Sequence, residues 1–194
     1  MCKLLPEVKL AHDKRNTRFG VIFQLIQELV SGGIYYVRIR PRLLSVRNVA
    51  GRKSLEEMPL LALSNGKDPL VLAVGAYAAS VAAKPDNDAV LANGFEHPRT
   101  IISDFTVAEK TLQYFFSKLA TNNFIRPVVV MHALEKTEGG LTQIEIRALQ
   151  ELAMGAGARE AHVWGGRELV DHEFENKKFP GDHWLSEKPK WVKS

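Results

Sequence analysis

The sequence predicts an α/β domain with a mixed sheet, on three observations. Residues 101–164 read as helix, strand, helix, strand, and a strand–helix–strand order implies a right-handed parallel crossover. Within them, the all-apolar run Val128–Met131 suits a parallel strand covered on both faces. Upstream, short β-like runs separated by turn residues suggest an antiparallel meander feeding that parallel unit.

The elements of the second half each have a local cause. Thr106 followed by Glu109 reads as a capping box, in which hydroxyl and carboxylate reciprocally satisfy orphan amides at a helix start. Phe105, Ala108, Leu112, Phe115, Phe116 and Leu119 then recur at helical spacing and make one face apolar. Asn122-Asn123 ends this helix, and Pro127 lies beyond it. A second capping box, Thr142 to Glu145, opens a helix with Ile144, Ala148, Leu149 and Leu152 inward. Gly155 and Gly157 stop it, because glycine takes a left-handed cap without a Cβ penalty. Glu160–Trp164 returns as a strand.

Residues 1–16 lack a persistent period and are expected to form a flexible arm. From Thr17, the residues Phe19, Ile22, Phe23, Ile26, Leu29 and Val30 share one helical face, stopped by Ser31-Gly32-Gly33. This helix is expected on the core, with a partner contact through Phe19 and Phe23 as the alternative. A membrane-surface role would want lysine or arginine where Gln24, Gln27 and Glu28 stand.

Strands are expected at Ile34–Arg40, Leu43–Val49, Leu60–Leu63 and Leu70–Val74, with turns at Ala50-Gly51-Arg52 and Asn65-Gly66. Pro41 is expected to break or bulge the first hairpin. Ala76–Ala83 reads as a short helix and residues 84–100 as loop, so 76–100 is assigned as a small insertion in a domain spanning 17–164. Residues 165–194 are read as a C-terminal tail, frayed or pinned to the surface. The alternative is an arm that docks on a partner through Trp184 and Trp191, since exposed indoles are costly without a surface to cover.

Composition narrows the function classes. At 194 residues the chain holds one domain, or one plus a small subdomain, and folds without metal or disulfide. The single cysteine, Cys2, cannot form an internal disulfide, which fits a reducing cytoplasm. Neither a bilayer-spanning apolar run nor a signal-peptide core is read, so a cytoplasmic location is expected. The net charge of +4 does not demand a polyanionic partner.

Its distribution is more informative. Ser31–Ser54 carries Arg38, Arg40, Arg42, Arg47, Arg52 and Lys53 with no acidic residue. In an unbroken strand Arg38, Arg40 and Arg42 share one face, where guanidinium forks suit anionic oxygens. More often such a stripe is a solvated sheet face or a pair of edge strands protected by charge. Tyr35 and Tyr36 are the aromatics near it, a thin basis for stacking bases, so nucleic acid is not the expected partner. His162, Asp171, His172 and His183 form a loose group whose spacing matches no familiar metal signature, and no metal is expected. The Gly155-Ala156-Gly157 segment follows a helix, which argues for a cap and against dinucleotide binding.

Two segments resemble a known family. Asp104, Phe105, Val107, Glu109, Lys110, Leu112 and Phe115 match the helix, and Thr142, Glu145, Arg147, Ala148 and Ala156–Glu160 match the following segment, of the bacterial actin MreB family. The resemblance spans 101–164 and extends upstream through Leu55–Tyr77 towards residue 34. It implies an actin-like, ribonuclease H-like lobe, and a family of two similar domains with a nucleotide cleft between them. A chain of 194 residues is expected to hold only the first domain.

The family's first phosphate loop, Asp-x-Gly-Thr, falls near Arg38–Leu44, where RIRPRLL offers neither carboxylate for hydrated Mg²⁺ nor glycine for backbone amides to close on phosphate. After the last strand Gly165-Gly166-Arg167 stands where the family has Glu-Glu-Pro. Glu145 matches a glutamate to which the family assigns a role in hydrolysis, but it already has a task in its capping box.

The expected function is therefore a noncatalytic MreB-like protein-interaction module, without cofactor, that pairs with itself or an actin-like filament and bears on cell shape or envelope assembly. The alternatives are an ATP half-site completed by oligomerisation, and an anion or nucleic-acid binder using the arginine-rich strands. Membrane contact has no support in the sequence.

Overall fold

A computed structural model describes residues 33–120 and 125–193; the expected arm, the helix carrying Phe19 and Phe23, and Asn122-Asn123 lie outside them. Strand β1 (Ile34–Arg40) pairs antiparallel with β2 (Leu43–Asn48), and β2 with β3 (Lys53–Glu57). Strands β4 (Leu60–Ser64), β5 (Val71–Val74) and β6 (Ala89–Asn93) form a second sheet in the order β5-β4-β6, with helix α1 (Ala76–Ala82) between β5 and β6 in sequence. Then come α2 (Phe105–Leu119), β7 (Val128–Ala133), α3 (Gln143–Gly155), β8 (Glu160–Val163) and α4 (Asp171–Asn176).

The main sheet has the order β3-β2-β1-β7-β8, with β1, β7 and β8 parallel. The mixed sheet and the strand–helix–strand units follow the sequence pattern. Two strands do not: Lys53–Glu57, at the edge of the main sheet, is charged, and Ala89–Asn93, in the separate small sheet, lies in what reads as loop. Pro41 neither bulges nor interrupts a strand; with Arg42 it forms the turn between β1 and β2, and Arg40 pairs with Leu43 across it.

Strand alternation divides the core. Tyr35, Val37 and Ile39 of β1 join Val129 and Met131 of β7 beneath α2 and α3. On the opposite face Tyr36 and Val130 join Trp164, Leu169 and Phe174. Helix α2 begins two residues earlier than Thr106 implies: Asp104 is the N-cap, accepting from Val107 N–H at 3.0 Å. Its short carboxylate reaches the third helical amide, so Thr106 falls inside the first turn. Glu109 is left to accept from Gln113 Nε2 at 3.1 Å.

In α3 the Thr142–Glu145 capping box forms as expected. Ile146, not Ile144, turns inward with Leu149 and Leu152, and Ile144 is 81% exposed. Five residues before Leu149, Ile144 is rotated about 140° from it around the helix. The helix ends in a Schellman pair, Ala158 N–H to the Ala153 carbonyl and Gly157 N–H to the Met154 carbonyl, both 3.0 Å, with Gly157 at φ +111°.

Residues 165–193 cover the second face of the main sheet, as Phe174, Phe179, Trp184 and Trp191 pack around Trp164. They also shield its β8 edge. Gly165 N–H donates to the His183 carbonyl and Leu185 N–H to the Val163 carbonyl, each at 2.9 Å, and Val163 N–H donates to Ser186 Oγ at 2.9 Å. Trp164 and Trp184 form an antiparallel bridge, so this short run lies along the edge like a further strand.

Candidate functional site

Ligands of open parallel sheets bind beyond the carboxyl ends of the strands. Here β1 and β7 are parallel neighbours, and a cleft of about 490 Å³ opens where β1 ends at Arg40 and the chain leaves β7 at Glu135-Lys136. Pro41, Arg42 and Leu43 line one side and Glu96-His97-Pro98 the other. The cleft thus adjoins the Arg38–Leu44 segment that the resemblance aligns with a phosphate loop.

The groups lining it do not form a phosphate cradle. A two-residue turn is too tight to wrap a phosphate, and Pro41 has no N–H to offer. The Pro41 carbonyl instead accepts from Asn93 Nδ2 at 2.9 Å. Arg42 reaches Glu96 at 3.5 Å and Arg40 reaches Glu135 at 3.9 Å. Lys136, at φ +60°, donates to the Thr100 carbonyl at 3.0 Å and to the His97 carbonyl. These residues do not fit a Mg²⁺–triphosphate, and no group of three or more potential metal ligands occurs among the described residues.

Beside the cleft, on the face covered by residues 165–193, lies an arginine network. Arg38 and Arg40 share that face, as their spacing predicts, and grip the two carboxylate oxygens of Glu168 at 2.7 and 2.9 Å. Arg38 also donates to Ser45 Oγ at 2.7 Å and reaches Glu56 at 3.3 Å. Hydrogen bonding from Arg38 holds the Glu168 carboxyl below its usual range, with Arg40 adding to the effect and burial opposing it. Arg42 leaves this stripe because β1 ends at Arg40, and its side chain is 82% exposed. Arg47 meets Asp171 at 3.0 Å and lies over the Tyr36 ring at 5.4 Å.

Under the network sits a buried polar pair that sequence reasoning missed. Tyr36 Oη lies 2.6 Å from His132 Nδ1 and accepts from Leu169 N–H at 3.1 Å. His132 was passed over within an apolar strand, and Glu168 in a segment read as tail. The available signal was periodicity, because Tyr36, Arg38 and Arg40 alternate and share a face.

The remaining candidates are dispersed. Glu145 Oε2 accepts from Thr142 N–H and Oγ1, both at 2.9 Å, while Thr142 Oγ1 caps Glu145 N–H at 3.2 Å. Trp184 and Trp191 are partly buried against Phe179, with ring centroids 5.2 and 5.7 Å from it, so an internal surface covers much of each. His162 bonds Glu160 at 2.7 Å and the Glu187 carbonyl at 2.8 Å, whereas His183 packs edge-on against Trp164. Phe19 and Phe23 lie outside the described residues.

Comparisons with known proteins agree with this architecture. The chain is 46% identical over 63 residues to cell shape-determining protein MreB of Pasteurella multocida, covering 32% of this chain and 17% of that protein. For MreB of Escherichia coli K12 the identity is 47% over 63 residues, covering 32% and 18%. YjaA of Escherichia coli K12, an uncharacterised protein, is 41% identical over 69 residues, covering 32% of this chain and 54% of that one. The match therefore spans less than a fifth of the length of these MreB proteins. MreB 5 of Spiroplasma citri, solved with AMPPNP, shares the fold at a TM-score of 0.53 and 20% identity, over 67% of this chain and 37% of that one. The MreB/Mbl protein family model matches residues 49–167, and the chain belongs to that family.

Proposed function

We propose that this protein is a noncatalytic MreB-like interaction module, pairing with a second copy or with an actin-like filament in the cytoplasm and thereby bearing on cell shape or envelope assembly. The observation that carries this reading is the β1–β2 turn. It closes on Pro41-Arg42 with no glycine and no carboxylate, where nucleotide handling needs both amides and a hydrated cation. The use of Glu145 in a capping box supports the same reading. The test is Mg-ATP turnover, expected at background. Turnover above background that Glu145→Gln abolishes would overturn the noncatalytic reading.

A second reading, an ATP half-site completed by oligomerisation, is favoured by one observation: the cleft lies at the carboxyl ends of β1 and β7. The MreB 5 and MreB5 proteins of Spiroplasma citri were solved with AMPPNP and ADP, though the likeness to this chain extends to fold alone. Titration calorimetry with Mg-ATP across protein concentrations separates the two. Binding that grows with oligomerisation supports the half-site. The arginine-rich strands have less to offer nucleic acid, since Arg38 and Arg40 are engaged by Glu168.

A further inference from the structure

The cations of residues 165–193 are arranged unlike those of the sheet face they cover. On that face Arg38 and Arg40 meet Glu168 and Arg47 meets Asp171, and within the covering segment Arg167 meets Glu173. Lys177, Lys178, Lys188, Lys190 and Lys193 are all exposed, and none has a carboxylate within ion-pair distance among the described residues. The acids nearest in the chain do not neutralise them. Glu173 is buried on Arg167, Glu175 reaches Arg52 at 3.9 Å, and Asp182 and Glu187 form no ion pair among the described residues. Five lysines against Asp182 and Glu187 leave three positive charges between residues 177 and 193, out of a net +4 for the whole chain. The backbone gathers four of these lysines. Lys193 N–H donates to the Lys177 carbonyl at 2.8 Å, which brings the end of the described chain beside the end of α4. Val192 N–H donates to the Pro189 carbonyl at 3.1 Å, closing a turn with Lys190 and Trp191 at its centre. Trp191 in turn packs on Phe179, the residue after Lys178, so Lys177, Lys178, Lys190 and Lys193 lie about Trp191 and Val192, which are only partly buried.

We propose that this patch docks a different protein through an acidic face of that partner. The inference rests on the interaction-module reading, in its arm that joins the chain to another protein, and assigns that arm a surface and a charge. A partly exposed indole among charged groups matches the anatomy of a protein–protein contact, an apolar centre with a polar rim. Lysine ammonium groups are compact point charges that draw in carboxylates from a distance, without the fork geometry that reads phosphate. A nucleic acid would want an open ring face for stacking, whereas Trp184 and Trp191 meet each other and Phe179 close to edge-on. A bilayer would want a broad apolar face beneath the lysines, whereas the most exposed large apolar side chain of residues 177–193 is Leu185, at 37%.

Binding of the full chain to poly-L-glutamate, to duplex DNA and to phosphatidylglycerol vesicles, each at low and at physiological salt, tests this. Poly-L-glutamate is expected to bind most tightly of the three, with an affinity that falls as salt rises. Changing Lys178, Lys190 and Lys193 together to Glu should weaken that binding about tenfold or more. Changing Lys67, Lys84 and Arg99 to Glu, exposed cations elsewhere with the same summed charge, should weaken it far less. The chain's three tryptophans all belong to the cluster under the patch, so indole emission should shift as poly-L-glutamate binds. Thermal melts check that both triple variants fold. Tighter binding to DNA or to vesicles, equal losses in the two variants, or an unchanged emission would overturn the assigned surface or its partner while leaving the interaction module to act elsewhere. Absence of binding to every probe at low salt removes the surface as well. The noncatalytic reading is tested separately by turnover.

Discussion

The Tyr36 hydroxyl bridges the sheet to the segment covering it, lying 2.6 Å from His132 Nδ1 while accepting from Leu169 N–H at 3.1 Å. A phenol that accepts from an amide has its proton free to give, so His132 Nδ1 is the acceptor and the imidazole is the neutral tautomer. Burial pushes His132 down to about 4, outweighing the opposite pull of the Glu168 charge and of a hydrogen bond to the Gly166 backbone. Burial also pushes Tyr36 up to about 12. Around neutral pH both side chains are uncharged, as their position beneath the covering segment requires.

The pair makes stability depend on pH. An unfolded histidine takes its proton near pH 6.5, whereas His132 in the fold resists it until about pH 4. Its contribution is therefore complete above pH 6.5 and is lost as pH falls towards 4. At most about 3 kcal/mol is involved. Urea midpoints measured from pH 7.5 down to 4.5 should fall more steeply for the unmodified chain than for His132→Gln. Equal slopes would show that His132 does not titrate as described.

Tyr36→Phe removes the bridging oxygen and leaves the ring. Leu169 N–H and His132 Nδ1 then lose a partner in a buried setting, which costs about 1–3 kcal/mol. Hydrogen exchange is the more specific readout. The Leu169 amide should exchange faster in the variant, while amides of β7, buried on the same sheet, should change only by the global loss of stability.

The parts of the fold that were legible in the sequence are those with a strong local cause. Apolar periodicity located α2 and α3, the Thr142–Glu145 pair fixed one helix start, and the unbroken run at Val128–Met131 marked the central parallel strand. Local signals failed where a tertiary partner decides. Lys53–Glu57 is a strand because β2 offers it hydrogen bonds, and with Leu55 as its one apolar residue it carries no apolar period. Ala89–Asn93 is a strand because it pairs with β4 across a gap of more than twenty residues. The site shows the same division. Arg38 and Arg40 were visible as a stripe, but the acid that engages them comes from Glu168, about 130 residues away.

Glu168→Gln tests that ion-pair network. The Arg38, Arg40 and Glu168 side chains are a quarter to two-fifths exposed, so solvent limits each pair to about 1 kcal/mol or less. The Glu168 carboxyl is held below its ordinary range, so its contribution is present near neutral pH and is lost on acidification through that lowered value. The variant should lose a small part of its stability near neutral pH. The difference from the unmodified chain should narrow in high salt, where exposed charges are screened.

Gly94 and Gly155 make a contrasting pair. A Cβ on Gly94 would stand 2.4 Å from the Ala108 backbone nitrogen and 2.7 Å from its Cα, so it meets main chain that cannot swing aside. The same loop anchors the start of α2, because the Gly94 carbonyl accepts from Ser103 N–H at 2.8 Å. Gly94→Ala must therefore shift α2 against the small sheet, a form of overpacking that costs about 1–3 kcal/mol or more. A Cβ on Gly155 comes just as close, 2.5 Å, but to the carboxylate of Glu109, the far end of a flexible side chain that can turn towards solvent. Gly155 closes α3, where alanine is the better helix former by up to about 1 kcal/mol. Gly155→Ala should accordingly melt close to the unmodified chain or slightly above it, while Gly94→Ala melts well below. If the two variants melt alike, the close approach of β6 to α2 is not what requires a glycine at position 94.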